Sequence, residues 1–113
     1  MAERGDVIAV RARLGFGARS ESERVVVVQA TELNSALATT LVVPLDLLAG
    51  PYLGSELLVQ VPAAEAGTRA DQVAIVPFIR YAAADRFEPG RVGKLSARTL
   101  HDLDEKLRMV LDL

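Results

Sequence analysis

The sequence predicts a small, mainly β fold in which a barrel-like antiparallel sheet carries one C-terminal helix. The run Val25-Val26-Val27-Val28 cannot alternate, so it predicts a central strand buried on both faces. Several other short apolar stretches have the length and alternation of strands. Near the end of the chain, leucines at helical spacing predict an amphipathic helix. A chain of 113 residues, 50% of them hydrophobic, can close one core, and we expect a single domain over residues 1–113.

The predicted strands follow one another at short intervals, with segments rich in Gly, Ser and Pro between them. Proline donates no hydrogen bond to a sheet, so Pro44 indicates a strand end or an edge, and Pro77 indicates a bulge. Residues 62–70 are expected to form a loop and residues 86–94 an irregular connection. The strands are predicted over residues 6–14, 25–28, 39–45, 56–61 and 71–80.

Two helical segments are indicated by residues that cap helices. Thr31 has the side chain of an N-cap for one short turn over residues 31–37. Ser96 caps the terminal helix, which is the most regular pattern in the chain. We expect its apolar stripe to pack on the sheet; the stripe consists of Leu100, Leu103, Leu107, Val110 and Leu111.

Composition excludes several kinds of active site. The chain has no cysteine and one histidine, so disulfides, thiolate nucleophiles and His/Cys metal sites are ruled out. The acidic residues have no spacing typical of a two-metal nuclease or an EF-hand, and we expect no cofactor. His101 falls on the polar face of the terminal helix, which favours a solvated side chain over a member of a catalytic triad.

The charge pattern and the N-terminus indicate a soluble cytoplasmic protein. A formal net charge of −2 with 25% charged residues is typical of neither a disordered tail nor a basic nucleic-acid coat protein. The first residues include acids and no apolar core, unlike a secretory signal. No apolar stretch approaches the roughly 18 to 20 residues of a membrane span.

With those sites excluded, arginine is the residue type that could bind a charged ligand such as phosphate. Arg11, Arg13, Arg19 and Arg24 lie in the first two predicted strands and the loop between them, and antiparallel pairing would bring some of them onto one surface. The planar guanidinium suits phosphate because it forms paired, charge-assisted hydrogen bonds. The alternative is that these residues are solubilising charges on an exposed sheet face, and the pattern alone leaves both open.

The chain opens with Arg4-Gly5-Asp6-Val7-Ile8, and Arg24 stands directly before a valine-rich strand. Further segments follow up to the amphipathic helix; they include Thr40-Leu41-Val42-Val43-Pro44-Leu45, Asp71-Gln72-Val73-Ala74 and Val92-Gly93-Lys94-Leu95-Ser96. In their order and spacing these segments resemble the MazF/PemK toxins of type II toxin-antitoxin systems, and the resemblance covers nearly the whole chain.

The resemblance implies a symmetric homodimer and a metal-independent endoribonuclease that cleaves single-stranded RNA through attack of a ribose 2′-hydroxyl. It implies that Arg24 stabilises the scissile phosphate. Where the family places a catalytic threonine, this chain has Asp46, which would pair with Arg24 or accept the hydroxyl proton; Glu21 is the other candidate base. It also implies a cognate antitoxin that lays an acidic, extended segment over the RNA groove.

Candidate RNA contacts surround this expected site. Phe16 and Tyr52 lie in loops and could stack on unpaired bases, or could anchor the loops on the domain. Arg80 could extend the phosphate track or form an ion pair, and we favour the structural role. The expected RNA-binding residues are therefore Arg11, Arg13, Phe16, Arg19, Tyr52 and Arg80.

Two other functions remain open at this stage. A domain of this kind that has lost cleavage would be a dimeric binding module, and Asp46 in place of threonine is compatible with that. A toxin of the same fold could instead bind protein, as the CcdB branch binds gyrase. That branch relies on the end of its last helix, which here is apolar but has no tryptophan.

Overall fold

Residues 2–11, 23–47 and 56–113 are described by a computed structural model, and they form seven strands and three α-helices. Short 3₁₀ turns cover Val76–Phe78 and Ala84–Arg86. In chain order the elements are β1 (Asp6–Val10), β2 (Glu23–Val27), α1 (Thr31–Asn34), β3 (Thr39–Leu47), β4 (Leu58–Val61), α2 (Ala63–Ala66), β5 (Gln72–Ile75), β6 (Arg80–Ala83), β7 (Gly93–Lys94) and α3 (Ala97–Leu111).

The strands pair in the order β4-β5-β3-β2-β1-β7, and every pairing is antiparallel. The long strand β3 pairs with β6 through Thr39–Val42 and with β5 through Leu45–Leu47. Because its partner changes midway, β3 belongs to both halves of a curled sheet. The predicted barrel-like antiparallel sheet with a C-terminal helix is confirmed.

Strand β2 lies between β1 and β3, and its three valines are fully buried. Val26 packs with Val7 and Val43 on the side where α3 contributes Leu103 and Leu107; we call this side the α3 face. Val25 packs with Val10, Val42, Ala82 and Phe87 on the other side, called the Phe87 face. The prediction of a central strand buried on both faces is therefore confirmed.

Proline positions differ from the predictions. Pro44 lies inside β3 opposite Val25, so its assignment to a strand end or an edge was wrong. It fits there because the partner on the other edge of β3 changes between Val42 and Leu45, where a ladder hydrogen bond is not needed. The predicted strand 71–80 was also wrong as one element, because Pro77 lies in the 3₁₀ turn that separates β5 from β6.

The predicted bounds of other elements also shift. Strand β1 ends at Val10, and residues 12–14 of the predicted strand lie outside the described part. Strand β4 begins two residues later than predicted, at Leu58. The expected loop 62–70 contains α2, and the expected irregular connection 86–94 ends in β7.

Helix α3 is capped at its start and buried along its middle. Ser96 caps it as predicted, since its Oγ accepts a hydrogen bond from the Thr99 amide at 3.2 Å. Along the predicted stripe, Leu103 and Leu107 are buried, whereas Leu111 is 49% exposed. No helix in the described ranges is long and apolar enough to cross a membrane.

The start of the chain is tied to α1 and α3 by Arg4. The prediction that Thr31 caps α1 was wrong, because Ala30 is the N-cap. The Thr31 Oγ1 instead accepts a hydrogen bond from the Arg4 amide. The Arg4 Nε donates to the Val28 carbonyl at 3.0 Å, and its guanidinium forms a half-buried ion pair with Asp104. These bonds hold the segment before β1 against the end of β2 and against α3.

Candidate functional site

Three strands meet at one end of the sheet, where β1 ends, β2 begins and β3 ends. Segment 12–22, which the structure does not describe, connects β1 to β2 at this end, and segment 48–55, also not described, follows β3. The predicted contributions of Glu21, Arg13, Phe16, Arg19 and Tyr52 therefore lie outside the described residues and stay predictions. Of the candidate residues, the structure places Arg11, Arg24, Asp46 and Arg80.

Arg24 lies on the α3 face at this end of the sheet. It is paired with Ala9 in β1, and alternation along the strands puts both on the side of Val7 and Val26. The Arg24 Nη2 donates to the carbonyl oxygen of Gly67 at 3.4 Å. The guanidinium thus reaches from β2 to the end of α2.

The remaining donors of Arg24 differ in access. Its Nε is buried, and no described residue accepts a hydrogen bond from it. The Nη2 bond to Gly67 is at an exposed position, and no carboxylate of the described chain forms an ion pair with this guanidinium. Arg24 therefore keeps its positive charge uncompensated by described acids and can offer Nη hydrogens to an oxyanion.

Asp46 lies on the opposite face. Its neighbour Leu45 belongs to the core on the α3 face, and Asp46 itself is paired with Val73 of β5. The Asp46 Oδ1 accepts a hydrogen bond from the Leu47 amide at 2.8 Å. Of the alternatives considered for Asp46, the ion pair with Arg24 is not formed, because strand alternation directs the two side chains to different sides of the sheet.

Glu23 and Arg80 form an ion pair on the Phe87 face, with 2.5 Å between Oε2 and Nη2. Arg80 is paired with Val42 at the start of β6, which places it on that face. The carboxylate and the guanidinium are 41% and 46% exposed, so solvent screens the pair. The ion pair favours the structural role for Arg80 and leaves phosphate binding possible at small cost.

Sequence reasoning missed Glu23 as a member of this end of the sheet. Glu23 precedes Arg24 in β2, so alternation places it on the face of Asp46. One strand therefore presents a cation to one face and an anion to the other. The alternation rule could have found this, had the strand start been predicted at residue 23.

Arg11 and Arg86 are linked at the end of β1. The Arg11 amide donates to the Arg86 carbonyl at 3.0 Å, and the Arg86 Nη2 donates to the Arg11 carbonyl at 2.8 Å. Arg86 thus stabilises the strand end. The Arg11 side chain is exposed and has no ion pair with a described residue, which makes it an available cation beside the site.

A cavity of about 510 Å³ opens at the other end of the Phe87 face. Ile8, Thr40 and Phe87 line it together with Asp6 and Arg91. Asp6 is buried, accepts a hydrogen bond from the Glu3 amide at 2.9 Å and lies 3.5 Å from Arg91. The carboxylates of Glu3, Asp6 and Glu88 make this cavity a poor site for phosphate.

Comparison with known proteins gives a family match over residues 3–111, to the PemK-like, MazF-like toxin of type II toxin-antitoxin systems. No curated protein sequence matches the chain.

Solved structures share the fold at low sequence identity. The Mycobacterium tuberculosis toxin MazF-mt6 has a TM-score of 0.77 and 16% identity, with 96% of this chain and 97% of that chain covered. An endoribonuclease in complex with its cognate antitoxin from a mycobacterial species also has a TM-score of 0.77 and 16% identity, covering 100% and 97%. A MazE-MazF complex from Deinococcus radiodurans has a TM-score of 0.75 and 18% identity, covering 99% and 96%.

Proposed function

Because the chain belongs to the PemK-like, MazF-like toxin family of type II toxin-antitoxin systems, we propose that it is a metal-independent endoribonuclease that cleaves single-stranded RNA at specific sequences. The single observation that carries the proposal is Arg24: a guanidinium at the sheet end, fixed at one nitrogen and free of described carboxylates. It is suited to a phosphate that gains negative charge during reaction.

The proposed reaction is transesterification within the RNA. The ribose 2′-oxygen attacks the adjacent phosphorus, the bond from phosphorus to the 5′-oxygen breaks, and a pentacoordinate phosphorane lies between them. The 2′-hydroxyl proton goes to a base, and a proton is delivered to the departing 5′-oxygen. Arg24 stabilises the added charge on the non-bridging oxygens through its Nη hydrogens. The products carry a 2′,3′-cyclic phosphate and a 5′-hydroxyl.

The base in this reaction is a separate group from Arg24, because a guanidinium holds its protons too strongly to exchange them easily. Asp46 points to the other face, and its Oδ1 accepts the Leu47 amide hydrogen. Glu21 belongs to the segment that enters β2 two residues before Glu23. We assign the base to Glu21 in preference to Asp46.

RNA is proposed to lie along the end of the sheet that carries Arg24. Arg11 supplies an exposed cation there, and Arg80 can exchange its exposed carboxylate partner for a phosphate. Arg13, Phe16 and Arg19 belong to the segment that joins β1 to β2 at the same end, and Tyr52 belongs to the segment that follows β3. Together these residues would provide the cations and stacking groups that single-stranded RNA requires.

The proposed homodimer has a matching surface on the α3 face. Leu41 and Tyr81 are paired across β3 and β6, and Tyr81 is 72% exposed. Leu41 lines a groove with Leu111 and Leu113, beside which Tyr81 projects. These exposed apolar side chains form the kind of patch that a second copy of this chain would cover in an isologous interface. Tyr81→Ser with Leu41→Ser should convert a dimer into a monomer by light scattering.

The proposed cellular partner is an antitoxin. The mycobacterial endoribonuclease of similar fold was solved with its cognate antitoxin. An acidic, extended segment would compete with RNA for Arg24 and Arg11. Such competition predicts that an antitoxin peptide and RNA exclude each other.

The experiment uses purified protein and a long unstructured RNA in EDTA. Wild type should produce fragments with 2′,3′-cyclic phosphate and 5′-hydroxyl ends, and Arg24→Ala should produce them far more slowly. Arg98→Ala is the matched control, because Arg98 is an exposed arginine on α3. Intact RNA at high wild-type concentration would contradict the proposal and leave a binding module or a protein-directed toxin.

A further inference from the structure

The carbonyl group that accepts the Arg24 hydrogen bond belongs to a very close backbone contact. Gly67 follows α2 as its left-handed C-cap, with φ of +69°. A Cβ atom at this position would lie 2.0 Å from the carbonyl oxygen of Val92. A side chain is therefore excluded by the contact as well as by the backbone conformation.

The other side of the contact is also a glycine. A Cβ atom on Gly93 in β7 would lie 2.1 Å from the carbonyl oxygen of Glu65 and 2.9 Å from the carbonyl carbon of Ala66. These neighbours are backbone atoms, which cannot rotate away as a side chain can. The end of α2 and strand β7 thus approach to a distance that only glycine permits on both sides.

Strand β7 is fixed to the sheet that carries Arg24. Gly93 is paired with Val7 of β1, and the Val92 amide donates to the Val7 carbonyl at 2.8 Å. Strand β1 is paired in turn with β2, where Ala9 lies opposite Arg24. The hydrogen bond from Arg24 to Gly67 closes a loop of contacts that runs through β1, β7 and α2.

We propose that Gly67 and Gly93 are positioning residues that fix the direction of the Arg24 guanidinium so that it stabilises the charge on the scissile phosphate in the transition state. The glycine contact sets the place of the Gly67 carbonyl, and the carbonyl holds Nη2 while Nη1 stays available. A guanidinium that is already held in position loses less conformational entropy when it contacts the phosphate. Misplacement by about 1 Å can cost about 100-fold in rate. This proposal rests on the proposed RNA cleavage.

The first test needs no variant. In the anchored protein, the Nε and Nη signals of Arg24 in nitrogen NMR should show slow hydrogen exchange and restricted rotation about the Nε–Cζ bond. The exposed Arg98 is the internal reference and should rotate freely. An Arg24 side chain as mobile as Arg98 would overturn the positioning role, even in a protein that cuts RNA.

The second test compares two glycines. Gly93→Ala should push α2 from β7 and lower kcat by about tenfold or more, with KM changed less than about twofold, because binding contacts remain. Gly90→Ala is the control: Gly90 has a φ of +78°, and nothing lies within 4 Å of its Cβ position. Equal kcat losses in both variants would show that the loss does not depend on the contact between α2 and β7, and would overturn the proposal.

A double-mutant cycle separates positioning from general destabilisation. The effects of Arg24→Lys and Gly93→Ala on kcat should be strongly non-additive. Arg24→Lys already removes the positioned guanidinium, so Gly93→Ala has no further positioning to disturb in the double variant. Arg24→Lys with Gly90→Ala should be additive, and additivity with Gly93→Ala would count against the proposal. A restrained Arg24 in a protein that cuts no RNA would overturn the proposed function and still support the anchor.

Discussion

Arg24 and Asp46 lie at the same end of the sheet but on opposite faces. Arg24 is on the side of Val26 and the α3 core, and Asp46 follows a core leucine with its own side chain turned away. Among the described residues, the guanidinium is held by the Gly67 carbonyl and by no carboxylate. The proposed site therefore has its cation in place, and its base must come from another residue.

Asp46→Asn should leave RNA cleavage within about threefold of wild type, since Asp46 does not reach the face of Arg24 and the amide oxygen can still accept the Leu47 amide hydrogen. Glu21→Gln should lower the rate by about 100-fold or more, as expected for loss of a general base. Initial rates on one RNA check both. A large loss of cleavage rate for Asp46→Asn, with no loss for Glu21→Gln, would show that Asp46 and not Glu21 is the general base.

Glu23→Gln should strengthen RNA binding by about two- to fivefold, because it releases Arg80 from an exposed ion pair worth about 0.2 to 1 kcal/mol. Arg80→Ala should weaken binding and reduce the salt dependence of the binding constant by about 0.7 in log–log slope. Equilibrium titrations at several salt concentrations measure both. If Glu23→Gln weakened binding, the ion pair would be part of the RNA surface itself.

Asp104→Asn should lower the free energy of unfolding by about 1 kcal/mol, because it removes the charged partner of a half-buried Arg4 guanidinium. The matched control is Glu105→Gln, which breaks an exposed i,i+4 pair with His101 and should change stability by less than about 0.5 kcal/mol. Urea denaturation compares the two. Equal effects would show that the Arg4 contact to α3 contributes no more than a surface pair.

Ser96→Ala should destabilise the protein by about 1 kcal/mol through loss of the α3 cap to Thr99. Ser96→Asn keeps a capping side chain and should recover most of that loss. Thermal unfolding of the three proteins at one pH gives the comparison. A stable Ser96→Ala variant would mean that tertiary packing of Leu103 and Leu107 alone fixes the start of α3.

The sequence predicted those parts of the fold that depend on local periodicity. The four valines identified the central strand, and the leucine stripe with Ser96 identified α3, because burial on two faces or on one stripe leaves a direct trace in the residue order. The sequence also predicted that Arg24 directly precedes the central strand, because it stands immediately before the valines. The break at Pro77 and the continuation of β3 through Pro44 were not, since they depend on which strands become neighbours.

The missed parts of the candidate site all depend on contacts between distant segments. The side to which Asp46 turns relative to Arg24 depends on sheet register, and the partner of Arg80 depends on β6 lying beside β3. The contact of Gly67 with Gly93 joins α2 to β7, which the sequence predicted as loop and irregular connection. The local sequence pattern does not determine which distant segments become neighbours or in which register they pair.

The most direct measurement is the initial rate of RNA cleavage in EDTA for wild type, Arg24→Ala and Arg98→Ala, each shown to be folded by circular dichroism. We predict that Arg98→Ala matches wild type and that Arg24→Ala is slower by about 100- to 1,000-fold, the usual effect of removing one group that stabilises transition-state charge. Equal rates for Arg24→Ala and wild type, or no cleavage by any of the three, would contradict the account.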